Sequence, residues 1–218
     1  MAVKDFMTKR VVFIDPDTSI AHAADLMREQ NLHRLPVMDH GKLVGLVTEG
    51  TIAEATPSKA TTLSIYEMNY LLNKTKVKDV MVRDVFTLDE DASLEDAVYL
   101  MFKHKVGILP VMKGDELRGV ITDRDVFKAF LEVAGYGAPG TRVRVRTTNQ
   151  VGVLERAVHA VVERDLNIDN VVNIPNADGS VTIELQLEGQ TDHEQLREEL
   201  EKQGFQVDYV HETQAKAF

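Results

Sequence analysis

Gly119-Val-Ile-Thr122-Asp123-Arg124-Asp125-Val126 joins an apolar strand to the start of a helix, and the organisation of the chain follows from this stretch. Thr122 stands three positions before Asp125, which is the spacing of a helix-capping pair. The first turn of such a helix offers free backbone N–H groups and the positive end of the helix dipole, which together suit a phosphate. Two interpretations therefore stay open: Thr122 and Asp125 bind a phosphate and a ribose, or they only cap the helix.

The composition limits the classes of protein to be considered. With 218 residues the chain is long enough for one large or two modest domains. Its 25 Lys and Arg against 35 Asp and Glu give a net charge of −10, which disfavours binding to nucleic acid or to an acidic membrane. It has no cysteine, no apolar run typical of a signal peptide and no apolar stretch of membrane-spanning length. We therefore expect a soluble, cytoplasmic protein.

An internal repeat is the strongest signal in the sequence. Val3-Lys-Asp-Phe-Met7 reappears 74 residues later as Val77-Lys-Asp-Val-Met81. The same offset relates Leu35-Pro-Val-Met38 to Leu109-Pro-Val-Met112, Gly45 to Gly119 and Thr48 to Thr122. A helix cap alone would not require so long a matching frame, so residues 1–55 and 77–134 are predicted to be two copies of one unit.

Each copy is predicted to have the order β-α-β-β-α. In the first copy the β-rich run Val11–Ile14 precedes a helix that is capped near Ser19. The strands 35–38 and 43–47 follow, with a turn at His40-Gly41 between them. Thr48 then opens the last helix. A sheet of this size is too small to be stable alone, so the two copies must share a core.

The segment 56–76 between the copies has no counterpart in the repeat. It begins with a loop at residues 56–59 and continues as a predicted connecting helix over residues 63–72. Ile65, Met68 and Leu72 recur at helical spacing and form its apolar face. That face is expected to dock on a copy of the repeat in its own chain, rather than on a partner chain.

A Gly- and Pro-rich linker, residues 135–140, precedes a different pattern at residues 141–212, with a tail at 213–218. The strands are predicted at 141–147, 168–175, 180–188 and 206–211, and the helices at 153–164 and 192–203. This β-α-β-β-α-β order is the split βαβ of a ferredoxin-like sandwich, so the whole chain is α+β. Arg142, Arg144 and Arg146 alternate with valines and predict a solvated or partner-facing side of the sheet.

The doubled β-α-β-β-α unit, with its His33-Arg-Leu-Pro-Val37 strand and its Gly119-to-Asp125 motif, resembles the CBS domain pair, or Bateman module, over about residues 3–130. The resemblance implies adenine-nucleotide binding in clefts to which both copies contribute. One cleft would bind AMP, ADP, ATP or S-adenosylmethionine, without a metal, and the residues that match the family motif line it as follows: Val11, Val12, His33, Arg34, Pro36, Val120, Thr122, Arg124 and Asp125. In the other cleft Thr51 replaces the Asp, and Gly107-Ile108 replace the His-Arg.

The joint loss of these polar residues favours the nucleotide interpretation, because a purely structural pair gives no reason for one cleft to keep its partners while the other loses them. Asp125 would accept hydrogen bonds from ribose hydroxyls, and Thr122 would donate to a phosphate oxygen. His33, Arg34 and Arg124 would offset the phosphate charge. The alternatives remain a surface His, a salt-bridging Arg and a Pro36 that only shapes the strand edge.

The C-terminal segment resembles the ACT domain, where an Asn or Asp, a Gly and a Leu begin the first helix. Here the corresponding stretch is Asn149-Gln150-Val151-Gly152-Val-Leu154, with Val151 where that family often has Pro. The resemblance implies that Asn149, Gln150 and Gly152 either contact an amino acid or contribute to dimerisation, and the Val favours dimerisation. The order CBS, CBS, ACT, together with residues 58–72, is similar to the acetoin-utilization protein B family.

Three classes of function were weighed. An enzyme needs a nucleophile with a base, a metal cluster or paired carboxylates, and the seven histidines are scattered without metal-ligand spacing. We therefore expect no catalysis, and the resemblance implies a ligand-sensing regulatory protein that is a homodimer through its CBS or ACT parts and is linked to acetoin utilization. The alternative is a structural or dimerisation adaptor without a small-molecule ligand. The sequence does not name the regulated partner.

Overall fold

The computed structural model describes residues 1–57 and 64–216. The predicted start of the connecting helix at Leu63 and part of the predicted loop before it lie outside these residues. The chain forms two compact units, Met1–Phe127 and Lys128–Phe218. In the described ranges, no helix combines the length and the apolar character needed to cross a membrane.

The two copies of the repeat contain matching elements. In the first copy these are α1 (Val3–Phe6), α2 (Ile20–Gln30), β1 (Arg34–Asp39), β2 (Lys42–Thr48) and α3 (Glu49–Ala55). The connecting helix is α4 (Ile65–Lys74). In the second copy they are α5 (Val77–Val80), β3 (Leu88–Asp89), α6 (Leu94–His104), β4 (Ile108–Lys113), β5 (Glu116–Thr122) and α7 (Asp123–Val133). The hairpins β1-β2 and β4-β5 are antiparallel, with the same irregularity in register after Val37 and Val111.

The helices α2 and α6 both begin at a serine cap, as the sequence predicts. The Ser19 hydroxyl accepts a hydrogen bond from the His22 backbone N–H at 3.3 Å. The cap of α6 is complete, because Asp96 N–H donates to Ser93 Oγ at 3.0 Å and Ser93 N–H donates to Asp96 Oδ2 at 3.1 Å. Local side-chain chemistry therefore fixes where these helices start.

The two copies exchange their N-terminal segments. Val3 N–H donates to Ala92 O in the second copy, and Val77 N–H donates to Thr18 O in the first, both at 2.8 Å. Val77 also lies in the hydrophobic core of the first copy, among residues such as Ile20. Each copy thus completes its core with a segment from the other, which explains why the small sheets are stable only as a pair.

The predicted strand Val11–Ile14 is wrong for most of its length. Only Ile14 pairs with a neighbour, parallel to Val37, and in the second copy the corresponding strand β3 has two residues. Ile14 N–H donates to Pro36 O at 3.0 Å and Met38 N–H donates to Ile14 O at 2.9 Å, so the run contributes a single step to the sheet. The β-rich composition predicted an extended backbone correctly, but sheet pairing also needs a partner alongside every residue.

The repeated glycines Gly45 and Gly119 mark places where the exchanged segments cross the hairpins. A Cβ on Gly119 would lie 2.9 Å from Thr8 O, and one on Gly45 would lie 2.9 Å from Val82 O. Both oxygens belong to the backbone of the other copy, so neither contact could be relieved by a change of rotamer. The glycines allow the two chains to approach closely enough for the bridges Thr8 to Val120 and Leu46 to Val82.

The connecting helix α4 packs against α2 of its own chain, in agreement with the expected docking on a copy of the repeat. Ser64 caps it, since Glu67 N–H donates to Ser64 Oγ and Ser64 N–H donates to Glu67 Oε2. Met68 and Leu72 are half-buried, but Ile65 is 70% exposed. Ile65 was therefore wrongly assigned to the buried face, because it lies in the first turn of the helix.

The second unit contains the predicted β-α-β-β-α-β order. Its elements are β6 (Gly140–Thr148), α8 (Val153–Val162), β7 (Ile168–Pro175), β8 (Ser180–Glu188), α9 (His193–Lys202) and β9 (Gln206–Thr213). The strands form one antiparallel sheet in the order β7-β8-β6-β9. Valines and leucines of the sheet pack on both helices, and the Arg144 guanidinium pairs across strands with Glu184 at 3.2 Å and Asp208 at 3.3 Å. On the side of the sheet predicted to be solvated or partner-facing, the charge of Arg144 is thus neutralised within its own sheet.

Candidate functional site

Two equivalent clefts lie between the copies of the repeat. Cleft A, about 450 Å³, is lined by Thr8, Arg10, Val11, Val12, Asn31, Leu32, His33, Arg34, Pro36, Ile108, Val120, Thr122, Asp123, Arg124 and Asp125. Cleft B, about 250 Å³, is lined by Arg34, Leu46, Thr48, Val82, Asp84, Val85, Phe86, Lys105, Val106, Gly107 and Ile108. Each cleft draws on both copies.

The nine residues that the sequence assigned to one binding cleft all line cleft A. Val11 and Val12 come from the extended run before α2, while His33, Arg34 and Pro36 come from the start of β1. The remaining four belong to the second copy, at the end of β5 and the first turn of α7. Pro36 and Val120 are buried and the others are half-buried or exposed, so the cleft has an apolar floor and polar walls. Whether these residues bind a nucleotide stays a prediction.

Thr122 and Asp125 form a helix cap. The Thr122 hydroxyl and the Thr122 backbone N–H donate to Asp125 Oδ2 at 2.7 and 2.8 Å, and Asp125 N–H donates to Thr122 Oγ1 at 3.3 Å. The capping interpretation therefore holds, but it does not exhaust the carboxylate. Both bonds that Asp125 accepts use Oδ2, which leaves Oδ1 for a hydroxyl group in the cleft.

His33 and Arg34 are each engaged with an acidic residue at the start of a helix. His33 Nδ1 lies 2.8 Å from Glu49 Oε2. Arg34 Nη2 lies 3.9 Å from Asp123 Oδ2, and Arg34 Nη1 donates to Gly107 O at 3.2 Å. Glu49 and Asp123 occupy equivalent positions in the two copies. These contacts fit the salt-bridging alternative, and a phosphate in cleft A would have to share both cations with them.

The Arg34 guanidinium lies close to Gly107 of the second copy. A Cβ on Gly107 would lie 2.5 Å from Arg34 Nη2 and 2.7 Å from Asp123 Oδ2. Gly107 is the counterpart of His33, so a histidine there would meet the Arg34 guanidinium. A side chain at position 107 would therefore require the Arg34 and Asp123 side chains to move.

Several residues of cleft A were not predicted: Thr8, Arg10, Asn31, Leu32, Ile108 and Asp123. Arg10 was missed because it lies outside the motifs on which the resemblance depends. A comparison of charge at every repeat position would have found it, since its counterpart 74 residues later is Asp84. The ion pair of Asp123 with Arg34 joins residues of different copies, so no local sequence pattern marks it.

Cleft B has a different lining on the same backbone. Thr48 caps α3 together with Thr51, whose hydroxyl accepts from the Thr48 backbone N–H at 3.0 Å and donates to Thr48 O at 3.0 Å. The Phe86 ring stacks on His104, with 3.8 Å between ring centroids. Where cleft A has Arg10, cleft B has the acidic Asp84. Cleft B is therefore smaller and lacks the carboxylate of the cap.

The loop before α8 presents the other predicted residues. Asn149, Gln150 and Gly152 are exposed, as is Val151. Gly152 has φ +85° and its Cβ position is open, so the glycine is required by the backbone conformation at the start of the helix. The structure thus accounts for Gly152 without a ligand. In the parts of the chain that the structure describes, no group of three or more His, Asp or Glu could hold a metal ion.

Curated relatives match the part of the chain that carries the two clefts. The protein MJ1404 of Methanocaldococcus jannaschii is 35% identical over 135 residues, which are 60% of this chain and 32% of that protein. The CBS domain-containing protein YhcV of Bacillus subtilis is 31% identical over 125 residues, 57% of this chain and 82% of that protein. The chain therefore spans about a third of the first relative and most of the second.

Solved structures give the same picture. A putative acetoin utilization protein, AcuB, from Vibrio cholerae has a TM-score of 0.52 and 28% identity, covering 61% of this chain and 91% of that one. CBSX2 in complex with AMP has a TM-score of 0.51 and 30% identity, covering 61% and 97%. The CBS domain pair of MJ0100, in complex with 5′-methylthioadenosine and S-adenosyl-L-methionine, has a TM-score of 0.50 and 29% identity, covering 60% and 95%.

The family model for the CBS domain matches twice, at residues 3–58 and 77–132. These two matches contain both copies of the repeat, and together they make up just over half of the chain. The exchanged segments α1 and α5 lie inside them, and so do the residues of both clefts. The chain belongs to the CBS domain family.

Proposed function

We propose that this chain is a non-catalytic, cytoplasmic regulatory protein that binds an adenine nucleotide in cleft A. The observation that carries the proposal is that residues chosen from sequence motifs in two separate copies line one cleft. The equivalent positions of cleft B have lost the acid of the cap and the His-Arg pair. The complexes of CBSX2 with AMP and of MJ0100 with adenosine derivatives support an adenine ligand.

Five side chains of cleft A can be assigned roles in binding a nucleotide. Val11, Val12 and Val120 offer an apolar surface for the adenine ring. Asp125 keeps Oδ2 in the helix cap and accepts a ribose hydroxyl at Oδ1. To donate to a phosphate oxygen, the Thr122 hydroxyl gives up its bond to Asp125 Oδ2, while the Thr122 backbone N–H keeps its own bond to that oxygen.

Nucleotide binding would report to the rest of the protein only if it favoured one arrangement of the two copies. His33 and Arg34 are suited to this, because each already bridges to the start of a helix. Arg34 in particular contacts Gly107 and Asp123 of the other copy. A phosphate that competes for Arg34 would weaken these bridges, so occupancy of cleft A changes a contact between the copies.

The second unit is proposed to be an ACT domain that acts in dimerisation. Its β-α-β-β-α-β order supports this assignment, and its exposed Asn149 to Gly152 loop is the candidate ligand or dimer contact. A link to acetoin utilization rests on the similarity to the AcuB structure from Vibrio cholerae, which covers 61% of this chain. A homodimer through either unit would let one nucleotide per chain regulate a partner protein.

A second candidate function is a structural adaptor without a ligand. The closed cap between Thr122 and Asp125 favours it, since both side chains already have a structural role. The two functions make opposite predictions about binding, while both allow Asp125 to contribute to stability. Binding and stability therefore have to be measured on the same variants.

Isothermal titration calorimetry with AMP, ADP, ATP and S-adenosylmethionine tests the proposal. We expect at least one of them to bind with one site per chain, and Asp125→Ala to weaken that binding by about tenfold or more. Thr51→Ala is the matched control, because it removes the equivalent side chain from the cap of α3 in the first copy. If none of the four ligands gives a heat of binding, the sensor function is contradicted. If Asp125→Ala binds as tightly as the wild type, the assignment of the site to cleft A is contradicted.

A further inference from the structure

We infer that cleft A selects its adenine ligand by charge: Arg10 and Arg124 bind a phosphate group, so the cleft takes a nucleoside 5′-monophosphate and excludes a sulfonium nucleoside such as S-adenosylmethionine. The inference rests on the proposed function, because it concerns the ligand of the same cleft. Arg10 lies outside the sequence motifs of the cleft. The resemblance leaves open whether the ligand is an adenine nucleotide or S-adenosylmethionine, and the charge of the cleft favours the nucleotide.

Several charged side chains of cleft A already form ion pairs or hydrogen bonds with other protein groups. Arg34 faces Asp123 at 3.9 Å and His33 faces Glu49 at 2.8 Å. Asp125 is held by three hydrogen bonds of the α7 cap. None of these groups offers a whole uncompensated charge to a ligand.

Arg10 and Arg124 are different. Both side chains line cleft A and both are exposed, yet neither guanidinium has an ion pair or a side-chain hydrogen bond within residues 1–57 and 64–216. The Arg124 backbone N–H donates to Asp123, which leaves its guanidinium uninvolved. Two guanidinium groups without acidic partners, on a protein of net charge −10, form a local anion site.

The internal repeat shows that the fold does not require these arginines. Their counterparts are Asp84 and Gly50, so one position reverses its charge and the other has no side chain. Asp84 lines cleft B, at the place that corresponds to Arg10 in cleft A. A role for Arg10 in holding the exchanged segments together would apply equally to both copies.

The number of free cations favours a monophosphate. A phosphate monoester carries nearly two negative charges at neutral pH, because its second pKa is about 6. Arg10 and Arg124 match that charge. A triphosphate would bring further negative charge to a wall that also contains Asp123 and Asp125. S-adenosylmethionine would bring one carboxylate together with a sulfonium and an ammonium group, so its net positive charge matches the two arginines less well than a phosphate does.

The experiment compares AMP, adenosine and S-adenosylmethionine by calorimetry on the full chain. The ratio of AMP to adenosine affinity isolates the phosphate contribution, while adenosine reports on the base and ribose. We expect Arg10→Ala and Arg124→Ala each to lower AMP affinity by about ten- to a hundredfold and to leave adenosine affinity within about twofold. Lys9→Ala is the control, because it removes an adjacent exposed charge that does not line the cleft.

The outcomes separate this inference from the proposed function. Equal affinity of the wild type for AMP and adenosine, tighter binding of S-adenosylmethionine than of AMP, or arginine variants that behave like Lys9→Ala would each overturn the charge selection. The proposed function would survive any of these results if Asp125→Ala still weakened binding. If no adenine compound binds to the wild type, both fail together.

Discussion

Cleft A and cleft B are formed by the same elements, related by an offset of 74 residues, yet their polar side chains differ at most positions. In cleft A the cap of α7 contains Asp125, and the wall carries Arg10 and Arg124. The counterparts at the repeat offset are Thr51, Asp84 and Gly50, and of these Asp84 lines cleft B. Cleft B is smaller, about 250 Å³ against about 450 Å³, and a Phe86–His104 stack stands beside it.

The scaffold around the clefts shows no such difference. Gly45 and Gly119 meet the backbone of the opposite copy at the same 2.9 Å. The pairs Lys4–Asp91 and Lys78–Asp17 are related by the repeat offset, and so are the serine caps of α2 and α6. These features of the scaffold are thus present twice, whereas the cations of cleft A are present once. This contrast is the physical reason for assigning those cations to a ligand.

The largest effect is expected where the scaffold is tightest. Gly119→Ala would push a Cβ against Thr8 O, and Gly45→Ala would push one against Val82 O. Each should lower the free energy of unfolding by about 1–3 kcal/mol, because the backbone must move to relieve the overlap. Urea unfolding followed by circular dichroism measures this loss.

Gly50→Ala is the control for those two variants. Gly50 lies in the first turn of α3, and its nearest new contact, Thr48 Oγ1, would be at an ordinary 3.5 Å. It should be neutral or stabilise by up to about 1 kcal/mol, since alanine favours a helix over glycine. A large loss for one of the paired glycines and none for the other would show that the two crossings are not equivalent.

The next effect separates stability from binding. Thr48→Ala and Thr122→Ala both remove the capping hydroxyl of a helix, and each should cost about 1 kcal/mol of stability. Only Thr122→Ala should also reduce the extra stability that AMP confers, because only that hydroxyl lines cleft A. An excess of ligand at about 100 times its Kd stabilises a protein by about 2.7 kcal/mol, so the loss is measurable in the same unfolding experiment.

Thr122→Ser sharpens this test. The serine keeps the hydroxyl, so both the cap and the response to AMP should persist. If Thr48→Ala diminished the AMP effect as much as Thr122→Ala, the two clefts would not differ in function, and the comparison on which the site rests would be broken.

Much of this organisation could be predicted, because its signals are local or repeated. The cap of α6 depends on Ser93 and Asp96, three residues apart, and the offset of 74 aligns the two copies without a gap. Residues from both copies could be assigned to cleft A because, in the family motif, one copy provides the His-Arg strand and the other provides the Thr and Asp of the helix cap. These predictions needed no knowledge of how side chains pack.

The failures concern pairing and charge between distant residues. The run from Val11 to Ile14 is rich in β-branched residues, but only Ile14 finds a strand alongside it. Arg34 was expected to face a phosphate, and its contacts with Gly107 and Asp123 arise only when the two copies meet. That Arg10 has no ion pair among the described residues is visible only once the charges around it have been located.

The smallest predicted effect is on the pH dependence of stability, and it involves two ion pairs that join the copies. Lys4 lies 2.6 Å from Asp91, and Lys78 contacts Asp17 at the repeat-related position. The lysine hydrogen bond lowers the pKa of each of these carboxyls below its usual value, and the carboxylate raises the pKa of each lysine. Since the unfolded carboxyl has a pKa of about 3.9, this stabilisation is complete above that pH and is lost as the pH falls through the folded value.

Lys4→Met and Lys78→Met should therefore each make stability less sensitive to acid between about pH 5 and pH 2, by similar amounts. Urea unfolding across that range measures the change. Acid sensitivity should persist in the double variant, because Lys113 and Arg118 lower the pKa of Glu90, whose counterpart in the first copy is Pro16. A flat pH profile in the double variant would contradict the role of Glu90. Unequal effects of the two single variants would show that the scaffold is less symmetric than its repeat, and would weaken the argument that asymmetry in cleft A reflects a ligand.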